Sequence, residues 1–187
     1  MRISEVSPNT VEGSWSRDLV LSKLWLIRKL GSIKPNFGTI YILGSWYGNL
    51  SLLMLDRNLE FDRIINVDVD EAALHQGDII TGKLRDHRIV AMCKDANDLD
   101  YRQLGNNGLV INTSCNNIPN NGWFENIPKG AMVALQGRDN DPGSVNHHDD
   151  LEGFVDSYPL SSTTYSGRIT LDDPETSYDR YMIIGNR

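Results

Sequence analysis

Residues 39–55, TIYILGSWYGNLSLLML, decide the fold. The apolar run 40–43 enters a turn holding Gly44 and Gly48, and a second apolar run, 50–55, follows at once. This pattern predicts a buried strand over 39–43, a tight loop, then a helix over 49–58. Glycines in such a loop accept positive φ and let a ligand approach the backbone. The helix behind it offers unpaired N–H groups that suit a carboxylate or phosphate. Taken alone, the same glycines serve a plain strand-to-helix turn equally well.

The chain on either side repeats the theme. Residues 64–67 predict a strand ending in Asp68, with Asp70 capping a helix and Glu71 in its first turn. Strands are expected at 88–93, followed by Asp95, at 109–111, ending in Asn112-Thr113-Ser114, and at 132–135, ending in Gln136. Five strands alternating with crossover segments predict a mostly parallel sheet with both faces covered by helices. Upstream, Leu19, Leu21, Leu24, Trp25, Ile27 and Leu30 form an apolar helical stripe, capped by Ser14 or Ser16 and ended by Gly31, with Arg28 and Lys29 in its last turn. Residues 1–13 read as a strap. Downstream, 137–150 reads as a surface loop, 151–158 as a helix, and 167–171 with 181–184 as an antiparallel hairpin at the sheet edge.

With 187 residues the chain is expected to form one domain, 1–187, with a full core. No apolar run is long enough to span a bilayer, and MRISEVSPNT lacks the apolar core of a signal peptide. A cytoplasmic protein without membrane partners is therefore expected. Cys93 and Cys115 have no metal-ligand or disulfide spacing and read as reduced thiols; no metal site is expected. A net charge of −7 argues against coating nucleic acid through phosphate contacts. It leaves room for a local basic patch or a nucleotide in a pocket.

Ligands of open parallel sheets bind at the carboxyl ends of the strands. Here those ends carry Gly44, Asp68, Asp95, Asn112 and Gln136. A carboxylate ending the second strand can accept from a ribose diol. One near the third can accept from an adenine amino group, beside a backbone N–H for a ring nitrogen. Each acid alone reads as a helix N-cap; their joint register describes an adenosine pocket.

In this order of elements the chain resembles the class I S-adenosylmethionine-dependent methyltransferases, from about Ser14 to the C-terminus. The resemblance implies their Rossmann-like fold, a mostly parallel seven-stranded sheet with a C-terminal antiparallel hairpin, and S-adenosyl-L-methionine as cofactor. Gly44 and Gly48 match the outer glycines of the family loop, with Ser45 and Trp46 between them. Asp68, next to Val69, matches the ribose-binding acid, and Asp95 with Ala96 the adenine-contacting pair. Asn112 and Ser114, with Gln136 one strand over, fall where members place substrate and catalytic groups; Asn112 is also a candidate cofactor contact.

The departures are specific. Ile42 stands where the family has an acid, so a methionine amino group needs another acceptor, from loop carbonyls or Asn112. Trp46 replaces the middle glycine, and either closes over the ligand or packs under the N-terminal helix. The Asn-Pro-Pro-aromatic signature of amino-methylating DNA enzymes is replaced by Asn-Thr-Ser-Cys. That strand end and the Gly-Ser-Trp loop are similar to a group of compact, bacteriophage-encoded methyltransferase-like proteins, which would place the chain in a host cytoplasm. Ser16, Arg17 or Lys23 of the N-terminal helix could meet the cofactor carboxylate, or form a solvated face.

Methyl transfer asks chiefly for alignment. A base is needed only where the acceptor must lose a proton early, and His147, His148 and Asp139 are the candidates. The expected activity is methyl transfer to a small molecule, nucleotide or nucleic-acid base. One rival is a dinucleotide oxidoreductase, which the loop opposes by lacking Gly-x-Gly-x-x-Gly. Another is a binding protein that keeps the fold and holds S-adenosylmethionine or a nucleotide without turnover.

Overall fold

Strand residues alternate between two cores, and that alternation builds the molecule. The computed structural model describes residues 10–84, 86–139, 143–173 and 176–187; at 81, 83 and 84 only the backbone is described. Residues 1–9 of the expected strap lie outside them, and the rest ends in a 3-10 turn, Gly13–Trp15. The regular elements are α1 (Arg17–Ile33), β1 (Asn36–Leu43), α2 (Asn49–Asp56), β2 (Glu60–Asp68), α3 (Glu71–Leu84) and β3 (Ile89–Cys93). They continue as β4 (Leu109–Asn112), α4 (Gly122–Glu125), β5 (Met132–Arg138), α5 (Leu151–Ser157), β6 (Ser162–Asp172) and β7 (Ser177–Asn186).

The seven strands form one sheet in the order β3-β2-β1-β4-β5-β7-β6. β1 to β5 are parallel, while β7 runs antiparallel to both β5 and β6. Odd-numbered residues such as Tyr41, Leu43, Val67, Val133 and Ile183 join Trp123, Phe124, Phe154 and Tyr158 from the α4 and α5 side. Even-numbered residues such as Ile40, Ile42, Ile64, Ala134 and Met182 join Trp25, Leu26, Leu30, Leu50 and Met54 from α1 and α2. A period of two with both faces apolar is what a doubly covered sheet requires. Chain order reverses between β1 and β4, and the crevice at that reversal is where the site lies.

Several boundaries differ from expectation. α1 runs through Gly31 to Ile33, because a helical glycine there faces Leu59 at ordinary distance and the apolar stripe continues. Arg28 and Lys29 are therefore not in its last turn, and Lys29 instead lies over the Tyr165 ring. Of the two expected caps, Ser16 stands at the N-cap of α1 but makes no side-chain cap bond, while the Ser14 hydroxyl donates to the Val11 carbonyl. β6 and β7 are longer than the apolar runs expected, because β6 is an exposed edge whose first residues are Ser, Thr and Thr. β5 extends into the segment expected to be loop, as far as Arg138. Asp70 does cap α3, accepting from the Ala73 N–H at 3.0 Å.

Candidate functional site

The turn between β1 and α2 forms the centre of a cleft of about 810 Å³, within the range of about 300–1,000 Å³ common for ligand pockets. Gly44, Trp46 and Gly48 all have positive φ, at 60°, 52° and 71°. The backbone thus keeps three left-handed positions although the middle one is not glycine, a cost of about 1–2 kcal/mol at Trp46. Glycine is required at the other two for space as well. A Cβ on Gly44 would lie 3.0 Å from the Ser114 Cβ, and one on Gly48 would lie 3.0 Å from the Asn66 amide nitrogen. Asn66 is itself fixed by the Ser51 hydroxyl at 2.6 Å.

Asp68 closes the turn from β2. One carboxylate oxygen accepts from the Trp46 N–H at 2.7 Å, the other from the Asp70 N–H at 3.0 Å. This holds the left-handed Trp46 in place and aims a carboxylate, with lone pairs to spare, along the cleft wall. Val69 follows it into the cleft and is 67% exposed, an apolar platform for a flat ligand. Asp95 caps a 3-10 turn, Ala96–Asp98, through the Asn97 N–H at 2.8 Å, and both Asp95 and Ala96 line the same end. Gly44, Ser45, Trp46, Asp68, Val69, Asp95, Ala96 and Ser114 are thus brought to one cleft.

Ile42 lines the cleft as well, buried at the position read as lacking its acid. Asn112 sits beneath the wall, fully buried; its carbonyl oxygen accepts from the Ser114 N–H at 2.8 Å. Its amide nitrogen has no partner among the described residues. Ser114 in turn donates from its hydroxyl to the Gly44 carbonyl at 3.4 Å, linking the β4 end to the glycine turn. Asn49, at the start of α2, donates to the Ser14 carbonyl at 2.9 Å and hydroxyl at 2.7 Å. This ties the segment before α1 over the loop.

These features place the chain among known architectures. No family model and no curated protein matches the sequence. Solved structures do match. NodS, an N-methyltransferase from Bradyrhizobium japonicum WM9, shares 10% identity over 93% of this chain and 99% of its own, with a TM-score of 0.72. Geranyl diphosphate C-methyltransferase from Streptomyces coelicolor A3(2), solved with Mg²⁺, geranyl diphosphate and S-adenosyl-L-homocysteine, shares 16% over 98% and 87%, with a TM-score of 0.66. Magnesium protoporphyrin IX methyltransferase from Synechocystis PCC 6803, solved with S-adenosylhomocysteine, shares 10% over 89% and 82%, with a TM-score of 0.62. The fold is the Rossmann-like methyltransferase fold.

Within that fold, four expected residues stand away from the cleft wall. Gln136 is fully buried on the α1 side, because it shares parity with Ala134; it accepts from the Ser22 hydroxyl at 3.1 Å and donates to the Ser22 carbonyl at 3.3 Å. His147 is exposed and lies 2.8 Å from Asp149. His148 is buried against Phe154 and Tyr158, and burial, then the neighbouring His147, pushes its pKa down. Asp139 accepts from the Asp179 N–H at 2.8 Å, bracing β5 against β7. None of the four lines the cleft. Gly48 acts through loop geometry, also without lining it.

Of the N-terminal trio, Lys23 alone lines the cleft. Its pKa is lowered to about 8, by burial first and by the Arg180 charge second, with Asp18 opposing. Asp18 is buried and accepts from the Tyr178 hydroxyl at 2.7 Å. Burial disfavours its charge, but hydrogen bonds from Ser16, Tyr178 and the backbone outweigh that and hold its pKa low. Cys115 is buried and its pKa is pushed up to about 12, mainly by burial, which leaves an inert thiol. Thr113, between Asn112 and Ser114, lines the cleft as well; Tyr47, Lys94, Asn116, Arg138 and Arg180 also line it and have no role in the sequence analysis. Only for Arg138 was a signal available: it follows Gln136 by two along one strand.

Among the described residues no cluster of His, Cys, Asp and Glu could hold a metal ion, and no helix is long and apolar enough to cross a membrane.

Proposed function

We propose that this protein is an S-adenosylmethionine-dependent methyltransferase. The observation that carries the reading is Asp68, a carboxylate pinned by two backbone N–H groups at the end of β2 and facing the cleft across a turn with three left-handed residues. The residues present fit the cofactor. Asp68 would accept from the ribose hydroxyls, Asp95 and the backbone at Ala96 would meet the adenine edge, and Val69 would lie against the ring. Gly44 and Ser45 would let the chain approach closely, and Lys23 would meet the carboxylate of the methionine portion.

When bound, S-adenosylmethionine supplies an activated methyl group on a sulfonium. The chain's own work is then to orient the acceptor and to keep water from the reacting face. Asn112 positions Ser114 through its N–H, and Ser114 stands at the wall between the glycine turn and the β4 end. The acceptor is a small molecule, a nucleotide or a nucleic-acid base. The Gly44-Ser45-Trp46 turn and Asn112-Thr113-Ser114-Cys115 support a compact, bacteriophage-type member working in a host cytoplasm.

A second reading is a binding protein that holds S-adenosylmethionine without turnover. It is favoured by Ile42 in the acid's place and by His147, His148 and Asp139 lying off the cleft. Calorimetric titration separates the readings. S-adenosylmethionine and S-adenosylhomocysteine should bind one to one, and NAD should not. Binding of NAD in their place would overturn the proposal. Consumption of S-adenosylmethionine with candidate acceptors then separates enzyme from binder.

A further inference from the structure

Among the described residues, the buried side-chain polar atoms that lack a hydrogen-bond partner and belong to the cleft lining are the Ser45 hydroxyl and the Asn49 amide oxygen. A hydroxyl can turn to donate or to accept, whereas an amide oxygen only accepts. Asn49 is 4% exposed, and an acceptor buried without a partner costs stability until a donor meets it. Its neighbour fixes which end of the amide is left over. Asn49 donates from Nδ2 to the Ser14 carbonyl at 2.9 Å and to the Ser14 hydroxyl oxygen at 2.7 Å. A carbonyl cannot donate, and the Ser14 hydroxyl already spends its proton on the Val11 carbonyl at 2.6 Å. The amide nitrogen must therefore face Ser14, and Oδ1 must face elsewhere.

Asn49 also stands on the sheet face where the acid is missing. It is the first residue of α2, directly after the left-handed Gly48. α2 covers the face that carries Ile42: Leu50 and Met54 share a core with Ile42, Trp25 and Leu26. Ile42, Asn49, Leu50 and Lys23 line one cleft. Asn112, the other amide near the turn, is not equivalent. It pairs with Leu43 in the β1–β4 ladder and shares parity with Val110, so its side chain belongs to the opposite face. Its oxygen is taken by the Ser114 N–H, and its unpartnered atom is the nitrogen, a donor. A cationic group finds no acceptor in that side chain.

We propose that the Asn49 amide oxygen accepts a hydrogen bond from the ammonium of the cofactor's methionine portion, in place of the carboxylate that Ile42 does not supply. The assignment rests on the methyltransferase reading. A charged donor makes this a stronger bond than a neutral one would. Asn49 is thereby a specificity residue, which favours S-adenosylmethionine and S-adenosylhomocysteine over nucleosides that lack the amino group. The two charges of the methionine portion are then read by different helices, the ammonium by α2 through Asn49 and the carboxylate by α1 through Lys23. Because the same amide is tied to Ser14, the ammonium also braces the segment before α1 across the turn.

The test is a calorimetric titration of the full chain with S-adenosylhomocysteine and, separately, with its deaminated analogue, which keeps the carboxylate. The parent protein should bind S-adenosylhomocysteine about tenfold more tightly, the scale of one hydrogen bond to a charged group. In Asn49→Ala that ratio should fall to about one. Loss of the Ser14 tether alone would weaken both ligands equally and leave the ratio at its parent value, and that result overturns the assignment. Equal affinities in the parent protein overturn it without any variant. If Asn49→Ala fails to fold, the parent still decides: the NMR signals of its Asn49 side-chain amide should shift with S-adenosylhomocysteine and not with the analogue, and equal shifts overturn the assignment. Failure of both ligands to bind the folded parent overturns the methyltransferase reading and Asn49 with it, whereas binding with an unaltered ratio in Asn49→Ala overturns the Asn49 assignment alone.

Discussion

The two ends of the cleft are built by different means. The side carrying Asp68 and Asp95 is mostly local: Asp68 ends β2, Asp95 stands two residues beyond β3, and each accepts from a backbone N–H two residues on, with Asp68 also reaching the Trp46 N–H of the neighbouring turn. The side carrying Lys23, Arg138 and Arg180 is assembled at long range, from α1, β5 and β7, through a ladder register and through Ser22 and Tyr178. A backbone-held carboxylate keeps its aim when distant packing shifts. A guanidinium pair set by strand register depends on the whole edge of the sheet. The carboxylates of one side are thus held by nearby backbone, while the cations of the other depend on the packing of the sheet edge.

The largest effect is expected at Asp68. Asp68→Ala should weaken S-adenosylhomocysteine binding roughly ten- to hundredfold, or about 1.5–3 kcal/mol for hydrogen bonds to a charged group. Unchanged affinity in a folded variant would remove the ribose assignment. Gly44→Ala should lower stability by about 1–2 kcal/mol, since it forces an L side chain into the left-handed region against Ser114. A urea midpoint equal to the parent's would contradict the role given to that turn. Gln136→Leu should cost about 1 kcal/mol of stability by orphaning its Ser22 bonds. It should leave cofactor affinity intact, and a loss of affinity without loss of stability would return Gln136 to the site.

The smallest effect is the pH dependence set by Lys23. Its folded pKa, about 8, lies below the ordinary 10.5. The unfolded chain therefore holds more protons between those values, and the stability of the free protein should rise with pH across that window. Binding to a carboxylate needs the protonated amine, so S-adenosylhomocysteine affinity should fall as pH rises through 8. The expected change is roughly two- to fivefold, the scale of a partly solvated ion pair. A Lys23→Met variant should show neither trend, and a parent profile that is flat from pH 7 to 9 would dissociate Lys23 from the ligand.

What the sequence revealed follows the same division. The sheet is legible because its first five strands are apolar runs that give way to polar or turn residues, and the side carrying Asp68 and Asp95 is legible for the same reason. Gln136 departs from expectation because a strand-end position does not fix a side chain's face: parity with Ala134 turns it under α1. Gly31 reads as a helix stop, but the apolar spacing runs on beyond it to Ile33 and the helix follows the spacing. Arg138 and Arg180 are far apart in the chain and meet only through the β5–β7 register, which no local pattern encodes. Trp46 was recognised as a replaced glycine, but its left-handed backbone depends on the Asp68 hydrogen bond, a tertiary fact.

The most direct test of the account is the crystal structure of the protein with S-adenosylhomocysteine. That structure should show ribose hydroxyls on the Asp68 carboxylate, adenine between Val69 and Ala96, and the homocysteine carboxylate turned toward Lys23. A nucleoside lying instead among Lys23, Arg138 and Arg180, with Asp68 free of it, would contradict the account at its centre.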